Sequence, residues 1–437
     1  MWNKAEFAFI SGCMKMLPLI GLTTLIASGA ATPEVYLSPA TVVAEASVEI
    51  RDDQAIPELD AAVQNARFVL LGEPWHGDGG AIALRSDIVR YLSTRHDFDV
   101  IVFEADFFAM HRGWQVVVNG GGLKSYADEN VYSFWSQSKA AENLWSFVDE
   151  RRRNGHRIDL AGMDTKLVGK WSRELLPQEL VEQLSRLPES DPQEAANAGS
   201  TLRRLLHPHE KPPVTEDAFS DLVKHVDTLA ANLRGEDEAT LFWRQVAESL
   251  KRNLSGEYRD PGMADNLIWL AEKLYPDRKI IVWLHNNHGL TDKWSFYDSD
   301  DPTIKMLAKS ETRRSIGERT YVGEALRRYY GPKAVYSIAT ISYTGTYSRD
   351  IIPALVGQAA NFADLAALPA TRPDALETAL AALGRRRAFV DLRKFKNLQP
   401  VANRAIDYSQ LPEIAFRLQD GYDGLLFVHT THGLNSQ

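Results

Sequence analysis

The chain has 437 residues, of which 44% are hydrophobic and 24% charged, which is the composition of a folded protein with a large core. Its formal net charge of −9 provides no overall positive field, so we expect no nucleic-acid partner. The single cysteine, Cys13, lies near the N-terminus. The rest of the chain therefore has no disulfide, no cysteine nucleophile and no thiolate metal ligand, and its chemistry must come from other side chains.

The N-terminal segment has the layout of a secretory signal peptide. Residues 16–31 form an apolar stretch that follows Lys15 and ends in small residues, and this stretch is short for a membrane span. We therefore predict a signal peptide over residues 1–31, export to the periplasm or the medium, and no stable membrane insertion. Residues 32–50 mix proline, serine, threonine and alanine and are predicted to be a linker.

From residue 51 onward, short apolar runs alternate with amphipathic helical segments such as 81–94 and 141–152. The runs are nearly continuous rather than alternating in polarity, which is typical of strands covered on both faces of a parallel sheet. This alternation predicts an α/β fold over residues 51–437, with a mostly parallel sheet flanked by helices. The predicted strands cover residues 67–72, 99–103, 158–162, 279–284, 334–342, 388–392 and 424–428.

One long stretch, residues 166–274, contains helical patterns and no convincing strand. A helical insertion of this size between two strands predicts a cap or substrate-binding lobe, and a plain helical extension of the core fits the pattern equally well. The helical segments cover residues 173–187, 191–206, 215–233, 236–254 and 261–274.

Ionisable residues follow four of the predicted strands. Glu73, Glu104, Asp164 and His285 each stand at or just past the end of an apolar run. Ligands of open α/β sheets bind outside the carboxyl ends of the strands, so these four residues are predicted to meet at one edge. A single carboxylate there is often a helix cap or an ion-pair partner, and the convergence of four residues is what predicts a site.

Further histidines belong to the same edge. His76 follows Glu73 by three residues and lies between two glycines, which allow an unusual backbone that presents both side chains. His285 and His288 have the spacing of residues on one side of a helical turn. Arg85 lies about two turns into the next helical segment, and its pattern alone is that of a surface arginine.

Two segments of the chain together resemble the erythromycin esterase family. Residues 68–106 read FVLLGEPWHGDGGAIALRSDIVRYLSTRHDFDVIVFEAD, and the family has Leu-Gly-Glu-x-x-His-Gly, then an arginine, then a Phe-Glu-Ala strand end. Residues 259–266 (RDPGMADN) and 283–288 (WLHNNH) are similar to the second half of the family. Weaker similarity runs through 323–345 and 423–430, so the resemblance covers nearly the whole chain after the signal segment. Some family members are linked by name to exopolysaccharide (succinoglycan) synthesis.

The resemblance implies an esterase that cleaves a carboxylic ester or macrocyclic lactone, such as a macrolide antibiotic, with an activated water. The resemblance implies that His76 is the general base. Glu73 and Glu104 would orient imidazoles and water. Arg85, His285 and His288 would bind and stabilise the oxyanion. The implied catalytic residues are His76, Glu73, Glu104, Arg85, His285 and His288. The residues predicted to contact the substrate are Trp75, Asn286, Asp106 and Asp164.

The chemistry of these residue types agrees with ester hydrolysis. A histidine beside a carboxylate supplies a base with a pKa near neutrality, and an arginine or a protonated histidine supplies donors for the tetrahedral oxygen. No Gly-x-Ser-x-Gly elbow is present, so direct attack by water is preferred over an acyl-enzyme, and no cofactor is expected.

Two alternatives remain open at this point. The same histidines and glutamates could hold zinc, manganese or iron in a metal-dependent hydrolase, although the His-Glu-x-x-His arrangement is absent. The chain could instead be a haem- or ligand-binding protein of a related fold, with His76 or His285 as the ligand. The sequence leaves the particular ester and the oligomeric state undetermined.

Overall fold

A mixed sheet of nine strands forms the centre of the computed structural model, which describes residues 38–188, 190–209, 211–292, 302, 320–406 and 414–436. The strands of this sheet are β1 (Val48–Glu49), β2 (Phe68–Glu73), β3 (Phe98–Asp106), β4 (Asp159–Asp164), β5 (Lys279–His285), β6 (Val335–Ser348), β7 (Leu365–Ala367), β8 (Arg387–Asp391) and β11 (Gly424–Thr431). The strands β9 (Val401–Asn403) and β10 (Ile414–Phe416) form a separate antiparallel pair.

The strands follow the order β1-β8-β11-β6-β2-β5-β3-β4, and β7 pairs with β6 beside this path. Every neighbouring pair from β11 to β4 is parallel, whereas β8 is antiparallel to β11, β1 to β8 and β7 to β6. The predicted α/β fold with a mostly parallel sheet is therefore confirmed. All seven predicted strands are present, and β6 extends beyond its predicted end to pair with β7.

Helices flank the sheet on both faces. They are α1 (Pro39–Glu45), α2 (Pro57–Val63), α3 (Gly79–Arg95), α4 (Phe107–Val118), α5 (Leu123–Asn130), α6 (Ser133–Ser136), α7 (Glu142–Arg153), α8 (Lys170–Glu174), α9 (Leu176–Ser185), α10 (Pro192–Leu206), α11 (Glu216–Asn232), α12 (Glu238–Ser255), α13 (Asp260–Trp269), α14 (Val322–Tyr330), α15 (Leu376–Ala382) and α16 (Leu418–Gly421). A π-helical turn (Leu270–Leu274) follows α13, and a 3-10 turn (Asn286–Gly289) follows β5. Within the described ranges, no helix is both long enough and apolar enough to cross a membrane.

The strand β2 shows why the apolar runs are continuous. All six of its residues are buried between β5 and β6. Phe68 and Leu70 pack into the core on one face of the sheet, whereas Val69 and Leu71 pack into the core on the other face. Because a strand directs successive side chains to opposite faces, covering both faces makes every position apolar.

The segment between β4 and β5 is helical, and α8 to α13 account for its regular structure. Leu180, Leu222 and Val246 of this segment lie in the same apolar core as Val102 of β3 and Val282 of β5. The insertion therefore covers one face of the sheet, and the start of α13 reaches the carboxyl edge of the strands.

The linker prediction for residues 32–50 is wrong for the part that the structure describes. Residues 39–45 form α1 and residues 48–49 form β1, which pairs with β8. Val43 and Ala44 are buried against α15 and the sheet, because their two apolar side chains stand on one side of a short helix. The predicted signal peptide and the first part of the predicted linker lie outside the described residues.

Candidate active site

The carboxyl ends of β2, β3, β4 and β5 lie side by side and bring the predicted strand-end residues together. Glu73 at the end of β2 is in register with His285 at the end of β5. One carboxylate oxygen of Glu104 on β3 accepts a hydrogen bond from the backbone N–H of His285 at 2.9 Å. Asp164 ends β4, the neighbouring strand of β3. The parallel sheet thus gathers these four residues at one edge, as the sequence predicts.

Glu73 and His76 form a buried hydrogen-bonded pair. The Nδ1 atom of His76 lies 2.7 Å from Oε1 of Glu73, and the carboxylate is fully buried. The indole N–H of Trp135 donates to the same oxygen at 2.8 Å, and Arg85 donates to the other oxygen, Oε2. Because Arg85 and Trp135 also donate to this carboxylate, the tautomer that fits these contacts has the N–H at Nδ1 of His76 donating to Glu73.

The second ring nitrogen of His76 is the unpaired atom of this pair. In the described part of the chain, Nε2 of His76 makes no hydrogen bond, and the residue keeps 8% of its surface exposed. The ring stacks on Phe134 with centroids 4.7 Å apart and an angle of 8° between the planes. With Nδ1 donating to Glu73, the lone pair of Nε2 is free to accept a proton.

Arg85 lies behind this pair and does not face the open side of the site. Its side chain has no exposed surface, and besides Glu73 it donates to the backbone oxygens of Leu71 (2.8 Å) and Leu284 (3.3 Å). The guanidinium carbon lies 3.8 Å from the ring centre of Trp283. Burial lowers the pKa of Arg85 to about 10, and the charge of Glu73 opposes this change. Its geometry is therefore that of a group that positions Glu73, which differs from the implied role in binding the oxyanion.

His285 is neutral, and both of its ring nitrogens are occupied. Nε2–H donates to the backbone oxygen of Pro74 at 3.0 Å, and Nδ1 accepts from the backbone N–H of Asn287 at 3.2 Å. Burial holds the pKa of His285 well below its ordinary value, and the neighbouring rings of His76 and His288 lower it further. The ring of His285 therefore packs beside that of His76, with the ring centroids 5.3 Å apart.

His288 is held as a cation by acidic neighbours. Its Nδ1 lies 2.8 Å from both carboxylate oxygens of Asp260, and its Nε2 lies 3.3 Å from Oε1 of Glu104. Burial favours the neutral ring, but Asp260 and Glu104 outweigh it and raise the pKa of His288 to about 9. Burial would likewise raise the pKa of Glu104, yet the charges of His288 and Arg259 hold it well below its usual range.

Arg259 is the accessible cation of the cluster. It donates to Glu104 at 2.6 Å and to Asp164, and its NH2 atom lies 3.0 Å from Nε2 of His288. Burial lowers the pKa of Arg259, but the charges of Asp164 and Glu104 more than compensate, so the guanidinium stays charged. Its side chain is 22% exposed whereas that of Arg85 has no exposed surface, so Arg259 is the more accessible of the two arginines.

The sequence analysis did not select Arg259 or Asp260 as site residues. Both stand in the Arg-Asp-Pro-Gly start of α13, where a charged pair before proline fits an ordinary helix start. The similarity of residues 259–266 to the family could have indicated these two site residues. It identified the segment but gave no role to any of its residues.

The residues predicted to contact the substrate have other partners. Trp75 is 7% exposed, and its indole N–H donates to the backbone oxygen of Ser348 at 2.9 Å within the core. Asp106 is fully buried and caps α4, and it accepts from the backbone N–H of Ala109 at 3.0 Å. Asp164 accepts from Arg259 and so orients that arginine. The geometry supports positioning roles for these residues, and their contact with a substrate stays a prediction.

Asn286 holds the end of β5 against β6. Its amide nitrogen donates to the backbone oxygens of Thr340 (2.8 Å) and Ala405 (2.6 Å), and its amide oxygen accepts from the N–H of Thr340 at 3.1 Å. A Cβ on Gly72 would lie 2.2 Å from this amide oxygen, so the close approach requires glycine. Asn286 therefore supports the backbone between the two histidines rather than binding substrate.

Replacing Asn286 with alanine is expected to lower the free energy of unfolding by about 2 kcal/mol, because buried backbone groups of Thr340 and Ala405 lose their partners. Urea unfolding followed by circular dichroism measures this loss. Asn232→Ala is the matched control, since the side chain of Asn232 bonds its own helix at the surface. Equal stability of the two variants would contradict the bracing role of Asn286.

The histidines and carboxylates of the site do not converge on one point. Across the described ranges, no three His, Cys, Asp or Glu side chains are arranged to hold a metal ion. The Nδ1 atoms of His76 and His288 instead bind carboxylates, and both nitrogens of His285 have backbone partners.

The fold and the cluster define an α/β enzyme whose site combines a histidine–carboxylate pair with buried cations at the carboxyl edge of parallel strands. The family model described as "Erythromycin esterase" matches residues 93–431, which is most of the chain. The chain therefore belongs to the erythromycin esterase family and is an esterase-type hydrolase. This confirms the resemblance and decides against a purely ligand-binding protein. Glu104, His285 and His288 lie within the matched range, and Glu73, His76 and Arg85 precede it.

Individual relatives agree with this assignment. The chain is 24% identical over 410 residues to "Putative hydrolase YbfO" of Bacillus subtilis, and the match covers 85% of each chain. A solved succinoglycan biosynthesis protein has a TM-score of 0.65 at 13% identity and covers 91% of this chain and 98% of its own. A histidine-to-asparagine variant of the erythromycin esterase EreC, in an open conformation, has a TM-score of 0.60 at 17% identity and covers 87% and 94%. These structures show that the fold is shared.

Proposed function

We propose that this hydrolase cleaves a carboxylic ester or macrocyclic lactone by direct attack of a water molecule that His76 activates. The observation that carries the proposal is the pairing of His76, whose Nδ1 is held by Glu73 while Nε2 is free. The other two histidines of the cluster have partners on both ring nitrogens. Nε2 of His76 is therefore the imidazole atom best placed to accept a proton from water.

In the first step, Nε2 of His76 takes a proton from water while the water oxygen bonds to the acyl carbon. The imidazolium that forms is stabilised by Glu73, which Arg85 and Trp135 keep in place. In the second step, the bond to the leaving oxygen breaks, and His76 returns its proton to that oxygen. The products are a carboxylic acid and an alcohol, or one hydroxy acid from a lactone.

The charges of the cluster favour this proton transfer. The carboxylates are Glu73, Glu104, Asp164 and Asp260, and the cations are Arg85, Arg259 and protonated His288. Glu73 lies next to the imidazolium that forms on His76, while Arg259 and His288 supply positive charge next to the developing oxyanion.

Isotope labelling and product analysis test this proposal. Purified protein is incubated with a panel of lactones and simple esters in ¹⁸O-labelled water, and the first turnovers are followed with substrate in excess over enzyme. Direct attack predicts label in the carboxylate product, no burst of alcohol and no acylated protein in the mass spectrum. A burst with an acyl-enzyme would show a covalent mechanism, and the absence of cleavage of every substrate would contradict esterase activity on this panel.

We propose that this reaction proceeds without a metal ion. Because the site histidines are bound to carboxylates and backbone groups, dialysis against a chelator is expected to leave kcat unchanged. Metal analysis of the purified protein accompanies the assay. Near-stoichiometric metal together with lost activity after chelation would support the metal-dependent alternative instead.

We also propose that the protein is exported, on the basis of the apolar segment over residues 16–31 and the small residues that end it. Expression of the full chain in a bacterial host, followed by mass spectrometry of the exported fraction, locates the cleavage site. An uncleaved N-terminus on protein confined to the cytoplasm would contradict this proposal.

A further inference from the structure

An aromatic column connects Tyr132 to the catalytic histidine. Tyr132 precedes α6, and its ring stacks on Phe134 with centroids 5.2 Å apart and an angle of 17°. Phe134 stacks in turn on His76. Tyr132 is 5% exposed and also contacts Trp135, the residue that donates to Glu73. The phenol is therefore held in a fixed position next to the proposed general base.

The hydroxyl group of Tyr132 lies within the influence of charged groups of the cluster. The charged groups that act on it most strongly are those of Asp164, Arg259 and Glu104. Burial, with Asp164 next in effect, raises the pKa of Tyr132 well above its ordinary value, so the phenol keeps its proton and remains a donor. In the described chain this hydroxyl makes no hydrogen bond, and it is not among the buried polar atoms that are sealed from solvent.

Of the other buried tyrosines in the described chain, Tyr336, Tyr126 and Tyr422 have hydroxyl partners, whereas Tyr275 has none. The hydroxyl of Tyr336 donates to Asp391 and that of Tyr126 donates to the sulfur of Met110 at 3.2 Å. A buried phenol commonly finds a partner, because an unpaired polar group in the interior is costly. Unlike Tyr275, Tyr132 stacks on Phe134, which in turn stacks on His76, so the partner of its hydroxyl is expected to be a bound substrate.

We propose that Tyr132 is a further catalytic residue, whose hydroxyl donates a hydrogen bond to the oxygen of the substrate carbonyl beside Arg259. This inference rests on the proposed ester hydrolysis. The hydroxyl keeps its proton throughout, and only its hydrogen bond strengthens as negative charge develops on the oxygen. Tyr132 thus supplies a hydrogen bond to the tetrahedral intermediate, next to the positive charges of Arg259 and His288.

Tyr132→Phe removes one oxygen atom and preserves the stack on Phe134. Loss of one donor to an oxyanion is expected to lower kcat about 100-fold with a smaller change in KM. Tyr126→Phe is the matched control, because it removes a hydroxyl that is bonded to Met110 from a tyrosine buried to a similar extent. Thermal unfolding of both variants checks that the fold is preserved.

Binding of monoethyl phenylphosphonate, measured by calorimetry, provides a readout without turnover. This tetrahedral anion imitates the charged intermediate, so Tyr132→Phe is expected to bind it at least about tenfold more weakly than wild type or Tyr126→Phe. Equal phosphonate affinity of Tyr132→Phe and wild type would overturn the proposal for Tyr132. Equal ester turnover by wild type and His76→Ala would instead overturn the proposed function, so the two failures are distinguishable.

Discussion

Replacing His76 with alanine is expected to lower kcat for ester hydrolysis by about 1,000-fold, with little change in KM. The free Nε2 atom of His76 is the proposed base, and no other histidine of the cluster has an unpaired ring nitrogen in the described chain. His285, the nearest imidazole, cannot replace it, because its Nε2 carries the proton that binds Pro74 and its pKa is well below neutrality. Steady-state kinetics on the best substrate of the panel measures the effect.

The chain offers a matched control for this variant. His96 also binds a carboxylate, with Nε2 at 2.6 Å from Asp60, but this pair lies on the surface away from the strand ends. His96→Ala is expected to keep the kcat of wild type. Comparable activity of His76→Ala and His96→Ala would show that a different group activates the water.

The features that could be predicted from sequence are those set by local pattern. Residues 280–284 are apolar at every position because β5 is covered on both faces, and such a continuous apolar run can be recognised in a sequence. Glu73, Glu104, Asp164 and His285 meet because parallel strands end at one edge, which follows from topology without knowledge of side-chain contacts. The convergence was therefore accessible before the structure.

The orientation of each side chain could not be predicted from the sequence pattern. Arg85 and Arg259 are both arginines next to helical patterns, and nothing local shows that the first is sealed behind Glu73 while the second is partly exposed. The partners of Arg259 are 95 and 155 residues away, at Asp164 and Glu104. Such pairings depend on the packing of α13 against the sheet edge, and no short-range spacing encodes them.

Asn286 shows a second limit of prediction from the sequence, which concerns the role of a buried polar side chain. A polar residue between two site histidines suggests a contact with substrate, yet its amide is used entirely by backbone groups of β6 and of the segment before β10. Buried backbone N–H and C=O groups need hydrogen-bond partners, just as a bound ligand does. A sequence does not show which backbone groups need a side chain as their partner. The same reason explains Asp106, whose carboxylate caps α4.

Replacing Asp260 with asparagine is expected to move the alkaline limb of the pH profile of kcat/KM to lower pH. In the wild type this limb is expected near pH 9, where His288 loses the proton that makes it a cation. Asp260 is the largest favourable influence on that proton, and removing an opposite charge in direct contact changes a pKa by about one to three pH units. A change of about two units would leave the variant about tenfold less active at pH 8.

Asp265→Asn is the control, because Asp265 lies on the same helix but pairs with Arg252 at the surface. An unchanged alkaline limb in Asp260→Asn would show that protonated His288 is not required for the reaction.

The pH dependence of the free energy of unfolding provides an independent test, and its direction follows from the raised pKa of His288. Because the pKa of His288 is raised from 6.5 to about 9 in the folded protein, its contribution to the free energy of unfolding is fully present below pH 6.5 and is lost as the pH rises through 9. Wild type should therefore lose stability between these values, and Asp260→Asn, which lacks the partner of that cation, should lose less over the same interval.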